Sequence, residues 1–416
     1  MTPPESRLSR QLGTADAVVI GLGAMIGTGV FVVWQPAAEK AGSWLLLGLG
    51  IAAVAAFCNA TSTAQLAAVH PRAGGAYHYG RERLGPRWGA LAGYAFVVGK
   101  IASCATAALA VGTYLWPRHA VVVALAAVTL LTAINLAGVQ KTVRTARVIL
   151  IGVVAVLVVV AVTGLAGAEN EPLVTTTPLD AVTPLGVLGS AAVLFYAFAG
   201  YARITVLGEE VRDPARSIPR AVTIGLALVL VLYFAIGAVV LAVLGAEGTA
   251  ATEQPLRAVA DTVDAGWLVP VVTAAAGVAA LGALLSLLAG VGRTSFAMAA
   301  EGDLPRPLAA VHPVRKVPYV AELGAGIVTA IAVLSGDLVQ TLSISAFAIL
   351  VYYAVANLAA WRLAPNERRW PRWLSGLGLV MCVGLALSLP PRLVALGALA
   401  LGMMLLLRSV VLNVRR

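Results

Sequence analysis

The stretch GLGAMIGTGVFVVW, Gly21 to Trp34, is apolar enough to sit in a membrane, yet it carries four glycines. A glycine in a helix interior costs roughly 0.5–1 kcal/mol relative to alanine, so a run of them marks a place where a regular helix is not the aim. A backbone break within lipid leaves N–H and C=O groups unpaired, and it survives only where protein or a water-lined cavity surrounds it. Each half-helix then contributes an end: N–H groups and a positive dipole on one side, carbonyls and a negative dipole on the other. Such a pair of ends suits a zwitterion, with a carboxylate at the N–H groups around Gly27, Thr28 and Gly29 and an ammonium at carbonyls around Met25. The glycines also admit a plainer reading, close helix packing, and Gly23 with Gly27 fits the small-xxx-small pattern. From this stretch alone both readings stand.

The rest of the chain supplies the setting. Its 416 residues are 60% apolar and 12% charged, with a mean hydropathy of +0.91, which excludes an ordinary soluble domain. A hydrocarbon core of ~30 Å takes about 20 apolar residues per helix, and the sequence divides into about twelve runs of that order, from residues 15–36 to 393–411. The expected fold class is therefore an all-α polytopic membrane protein of about twelve transmembrane helices. The opening residues lack the apolar core and cleavage site of a signal peptide, so the first span is expected to persist. Cys58, Cys104 and Cys382 all fall within spans and read as small buried apolar residues rather than a disulfide framework or metal cluster. His70, His78, His119 and His312 fall at span boundaries with spacing unlike that of metal ligands, and read as solvated loop residues. No metal and no cofactor is expected.

The net charge of +10 does not point to nucleic acid, because its distribution follows the membrane. Of the 29 Lys and Arg residues, Lys100 and Arg203 lie inside spans and four (Lys40, Arg118, Arg257, Arg392) lie at outer loops, which leaves 23 at the inner ends. This is the positive-inside pattern, with both termini cytoplasmic in a multi-pass plasma-membrane protein. Glu169, Glu171 and Asp180 stand together in a loop without Lys or Arg, as an outer loop can.

A second interruption lies in the sixth span, SAAVLFYAFAGYARIT, where Phe195, Tyr196, Phe198 and Tyr201 crowd around Gly200. Paired interruptions at corresponding places in two halves are the best sequence pointer to a transporter site. Spans one and six are the first members of two five-span blocks, and because five is odd the second block enters from the opposite face. The implied organisation is a 5+5 inverted repeat, residues 1–166 and 167–361, with broken helices 1 and 6, followed by two C-terminal helices in 362–416.

At this point the chain resembles the amino acid, polyamine and organocation permease family. The opening stretch is similar to that family's first-helix signature, and HPRAGGAYHYGRERLGPRWG (70–89), GEEVRDPARSIPRA (208–221) and MAAEGDLPRPLAAVHP (298–313) resemble its loops after the second, sixth and eighth helices, in order and at the right spacing. The resemblance implies a leucine-transporter-like fold. It places the substrate carboxylate on the N–H groups of Thr28 and Gly29, beside Gly27, and the ammonium on carbonyls of Met25, Tyr196 and Ala199 at the Gly200 break. Tyr196 then covers the ligand, and selectivity comes from Lys100, Cys104 and Phe198. The loop signatures read as structural, with Asp213-Pro214 a turn, Ser217 a cap and Pro219 in the first turn of the next helix.

Three departures bear on energy coupling. Many relatives carry a lysine in span five where this chain has Gly152. In span eight Ser286 matches a hydroxyl that can help to hold sodium, but Leu285 beside it leaves such a site incomplete. Span three carries Lys100, about 18 Å above the start of its helix by a rise of 1.5 Å per residue, too deep to snorkel. Three readings are open for Lys100: a coupling amine, a contact to a polar or acidic substrate side chain, or half of an ion pair. Arg203, about one and a half turns from Glu209, reads as paired with it or as snorkelling to the interface. The expectation is a secondary transporter of an amino acid or organic amine, possessing no nucleotide-binding loop and no enzymatic step, with a proton as possible co-substrate and sodium doubtful. An exchanger or exporter, or a non-transporting sensor or partner subunit of the same fold, is the alternative.

Overall fold

The computed structural model describes residues 12–70, 74–138, 143–168, 182–205 and 211–414. Glu169, Glu171, Asp180, Glu209 and Glu210 lie outside the described residues, and with them the expected Arg203–Glu209 pair. Among the described residues the chain is helical throughout, apart from loops and one isolated parallel bridge between Leu12 and Val211.

The first break falls where the glycines predict it. Helix α1 (Thr14–Met25) ends at Ile26, whose ψ of 62° leaves the helical region, and the chain resumes as α2 (Gly29–Val32). Val33 keeps helical angles, so α2 runs on into α3 (Trp34–Ala41). Then come α4 (Leu45–Val69), a short α5 (Ala76–Leu84), α6 (Pro86–Leu115), α7 (Ala120–Leu136) and α8 (Val143–Gly167). The second break separates α9 (Pro184–Phe198) from α10 (Ala202–Thr205) by one 3-10 turn, Ala199–Tyr201. The remainder comprises α11 (Pro214–Ala250), α12 (Pro255–Thr262), α13 (Leu268–Ala300), α14 (Tyr319–Ser335), α15 (Leu338–Trp361), α16 (Arg372–Leu387) and α17 (Pro391–Val414). Among the described residues ten segments are long and apolar enough to cross a membrane, and α14 and α16 are shorter apolar helices, so this is a multi-pass membrane protein.

Local sequence explains the helix starts. Thr183 caps α9 by accepting from the Gly186 N–H at 3.0 Å, with Pro184 in the first turn, and Asp337 caps α15 by accepting from Gln340 at 2.7 Å. The 208–221 loop differs from expectation. Helix α11 begins already at Pro214, Asp213 takes a left-handed backbone (φ 45°), Ser217 donates to the Arg212 carbonyl at 2.8 Å instead of capping, and Pro219 lies inside the helix. The turn formed by Asp213 brings the helix in earlier than the serine alone would.

Helices α6 and α15 are the most buried of these segments. They meet through small residues, with Gly99 against Ala348 and Ile349, and through hydroxyl pairs, Ser103 with Ser345 at 2.7 Å and Thr106 with Thr341 at 3.0 Å. Apolar lipid offers helices no hydrophobic drive to associate, so close packing and such hydrogen bonds do that work. The charged residues gather at the end of the bundle where α1 begins, called here the basic end. There Asp303 accepts from Tyr77, Arg81 and Arg408 at 2.7, 2.7 and 2.6 Å, tying α5 and α17 to the turn after α13. Asp16 pairs with Arg147 at 2.8 Å, and Glu367 takes two bonds from Arg83. His70 is half-buried rather than solvated: it accepts from Arg83 at 2.8 Å, and burial, then the Arg83 charge, hold it below the ordinary histidine pKa.

Candidate functional site

The two breaks lie against each other. A Cβ at Gly200 would strike the Ala24 carbonyl and come within 2.5 Å of the Met25 nitrogen, and one at Gly29 would lie 2.8 Å from the Ala197 Cα. Both positions demand glycine because backbone meets backbone there. The tight fit around Gly29 is thus formed by α9, and a side chain at that position would strike the neighbouring helix. Gly27 is less confined, its nearest neighbour being the Ala283 methyl on α13 at 3.4 Å.

The carbonyls freed by the breaks have partners that sequence reading missed. Tyr233 on α11 donates to the Met25 carbonyl at 2.7 Å and also approaches that of Ala197 at 3.2 Å; Tyr353 on α15 donates to the Ala199 carbonyl at 3.3 Å. Tyr114 on α6 donates to the Phe31 carbonyl at 2.9 Å. A lone tyrosine in the middle of an apolar span is the available sequence signal, since a buried phenol needs an acceptor. A carbonyl has two lone pairs, so those of Met25 and Ala199 can accept a further donor.

The N–H side of the first break is different. Thr28 is buried, 3% exposed, and its hydroxyl has no hydrogen-bond partner among the described residues. Among the described residues the N–H groups of Gly29 and Val30 have no backbone acceptor, and the Phe31 N–H is the first of α2 to find one, the Thr28 carbonyl at 3.1 Å. Donors without acceptors on one side and carbonyls on the other form a dipolar pair of ends across the crossing.

Around this point, the Tyr196 hydroxyl lies beside Ser103 and Thr106 of α6, so the tyrosine at the second break faces the third span. Phe198 is fully buried with its ring edge-on to Tyr233 at 5.2 Å, which makes it part of the packing of the crossing. Lys100 is half-buried, with its ammonium 5.8 Å from the centre of the Phe96 ring and electrostatic neighbours in Cys104 and Arg203. Among the described residues it joins no salt bridge. Ser286 is exposed and its hydroxyl donates to the Gly282 carbonyl of its own helix at 3.0 Å. Gly152 is exposed with open space where a side chain would start. The structure thus brings Met25, Gly27, Thr28, Gly29, Tyr196, Ala199 and Gly200 to the two breaks, sets Cys104 beside Tyr196 and Lys100 beside Cys104, and leaves Ser286 exposed and bonded within its own helix. Among the described residues His, Cys, Asp and Glu do not gather there as metal ligands.

The family model described as amino acid permease matches residues 12–411. The chain belongs to the amino acid permease family. This permease is 50% identical to an uncharacterised transporter of Mycobacterium tuberculosis over 395 residues, 95% of this chain and 90% of the relative. It is 26% identical to the branched-chain amino acid permease BcaP of Bacillus subtilis, covering 93% of this chain and 90% of the relative. It is 30% identical to the human cationic amino acid transporter 4, with 85% of this chain matched to 60% of that longer protein. The match spans both breaks and every helix described above, so the permease is a transporter.

Proposed function

We propose that this permease moves a zwitterionic amino acid across the cell membrane by alternating access, its two five-helix blocks related as an inverted repeat and both termini cytoplasmic. The observation that carries the reading is the buried Thr28 hydroxyl, unpartnered among the described residues, at the start of a half-helix that packs at Gly29 against a second break whose carbonyls accept from tyrosines. The ligand carboxylate takes the Thr28 hydroxyl and the N–H groups of Thr28 and Gly29. Its ammonium takes the Met25, Tyr196 and Ala199 carbonyls, joining or displacing the hydroxyls of Tyr233 and Tyr353. Backbone capture recognises what all amino acids share, and the relatives named for branched-chain and cationic amino acids are consistent with one scaffold serving several side chains.

Lys100 and Cys104 stand on the side of Tyr196 where the ligand side chain points. With Arg203 as its electrostatic neighbour, Lys100 makes that space cationic. It favours neutral or acidic side chains over basic ones, because a second cation there meets repulsion in a low-dielectric setting. Ser286 is exposed and its hydroxyl is spent on the Gly282 carbonyl of its own helix, and we read the transport as independent of sodium.

Counterflow in proteoliposomes tests the proposal, with labelled leucine and labelled glutamate as probes. Exchange of either, competed by other amino acids and not by their decarboxylated analogues, is the expected result. Exchange of neither, with no thermal stabilisation by any amino acid, refutes it. Replacing Thr28 by Val supplies a sharper mark. Removing an unpartnered buried hydroxyl relieves a desolvation cost, so the variant should be at least as heat-stable as the wild type while binding its ligand more weakly.

A further inference from the structure

Among the described residues two carboxylates of this permease, Asp303 and Glu322, are deeply buried, and they are treated in opposite ways. Asp303 is surrounded by two arginines and a tyrosine. Glu322, in the first turn of α14 and 4% exposed, has an oxygen, Oε2, with no hydrogen-bond partner and joins no salt bridge among the described residues. Space has been made for it all the same: a Cβ at Gly292 on α13 would lie 2.6 Å from the Glu322 carboxyl carbon and 2.7 Å from its Oε1. An ionised carboxylate in such a place lacks the partners a buried charge requires, whereas a protonated one needs far less.

The surroundings extend the point toward the crossing. Thr132 on α7 presses its hydroxyl against α14 at Gly326, one turn beyond Glu322, and that hydroxyl has no partner. Thr329, two turns beyond Glu322, is fully buried, and its hydroxyl also lacks a hydrogen bond of good geometry although it faces the Cys104 thiol of α6. Cys104 in turn neighbours Lys100 and Tyr196. A seam of under-satisfied polar groups therefore leads from Glu322 near the basic end to the side of the candidate site, over a rise of about 10 Å on α14. These oxygens are spread along the helix, so they do not converge into the six-oxygen shell of a hard cation.

The charged and titratable groups around Glu322 are few. Helix α13 supplies Arg293, its electrostatic neighbour, α6 supplies Cys104, and α7 supplies none. The turn Arg306–Ala309 carries an exposed Arg306, and at the start of α14 Tyr319 packs edge-on against His312.

We propose that Glu322 takes up the proton that accompanies the amino acid: its neutral form packs against Gly292 in the closed arrangement seen here, and its ionised form belongs to the state in which α13 and α14 part and water or Arg293 reaches it. The inference rests on the transport reading above. It assigns the proton to the seam between α13 and α14 and leaves Lys100 to the ligand side chain.

The test uses wild type and Glu322→Gln, a permanent mimic of the protonated acid, in proteoliposomes. For one proton per amino acid, one unit of inward pH gradient drives up to about tenfold accumulation of the labelled probe. Wild type should show that accumulation, and Glu322→Gln should lose it while keeping counterflow. Wild-type counterflow without any response to the proton gradient, accumulation driven by sodium instead, or an unaltered response in Glu322→Gln would each overturn the inference while leaving the transport reading intact. Absence of wild-type counterflow would remove the transport reading itself. Should the variant fail to fold, the wild type answers alone. Dicyclohexylcarbodiimide, which attacks protonated carboxyls in apolar surroundings, should modify Glu322 more at acid than at alkaline pH; a Glu322 peptide unmodified at every pH overturns the proposal.

Discussion

The two breaks solve the same problem by different means. In the first span the chain leaves helical geometry at Ile26 and has resumed helical angles by Thr28, just before α2; in the sixth it tightens into one 3-10 turn and continues. The first break keeps an unpartnered donor, the Thr28 hydroxyl, while the carbonyls of both are reached by tyrosines from other helices. The lesson is that the first break, with the Thr28 hydroxyl and the Gly29 and Val30 N–H groups unused among the described residues, is the one that offers donors, and the tight one is a rigid counterpart that offers carbonyls. Gly200 and Gly29 hold them together, each pressing its α-carbon on the other helix's backbone.

The comparison can be broken at several points. The largest effect is expected at Gly200, where a side chain must displace the α1 backbone. Gly200→Val should cost at least about 3 kcal/mol, and it should appear as a lost folded fraction or a much lower denaturation midpoint in detergent. Gly29→Val follows at ~1–3 kcal/mol, because the Ala197 backbone is slightly farther away, and its loss of ligand binding should track its loss of stability. A Gly29→Val protein with wild-type stability would mean that the two helices are not packed as described.

Tyr233→Phe removes a donor to the Met25 and Ala197 carbonyls and leaves them without it in a buried place, a cost of ~1–3 kcal/mol. Tyr353→Phe removes one longer bond to Ala199 and should cost less, about 0.5–1.5 kcal/mol. Thermal midpoints measured with and without amino acid sharpen the contrast. If the ligand ammonium replaces the tyrosine hydroxyls, ligand should stabilise the Phe variants by a larger shift than the wild type; an identical shift in all three would assign those carbonyls to structure alone.

The smallest effect is expected at Gly27, whose nearest neighbour is a methyl group at ordinary contact distance, 3.4 Å, with the Ala24 carbonyl at 4.0 Å. Gly27→Ala should change stability by less than about 1 kcal/mol, so any loss of affinity there reports on the ligand's space directly. Equal affinity in the variant would move the carboxylate away from Gly27 toward Thr28 and Gly29.

Much of this was legible along the chain. The interruptions at Gly27–Gly29 and at Gly200 are local facts, because glycine and a failed helical register show themselves within one turn. The burial of Lys100 was readable from its distance to the nearest span end. Tyr233, Tyr353, Gly292 and the isolation of Glu322 were not. Glu322 reads in sequence as an acid near a helix end, where most are solvated, and only the packing of α13 reveals that it is 4% exposed.

By itself the sequence determined that the chain enters a membrane many times over, where two of its apolar segments break and which family's loops it carries, since hydropathy, glycine and loop signatures act over a few neighbouring residues. Tertiary structure alone decided which partner each freed group meets. Tyr233 reaches Met25 across 208 positions of chain, and Glu322 finds its space in a glycine on another helix. Spans that are apolar on every side carry little amphipathic signal, so their sequence does not say which face turns inward or at what height two of them cross. Close packing of small residues settles that, and it does so only once the whole bundle has formed.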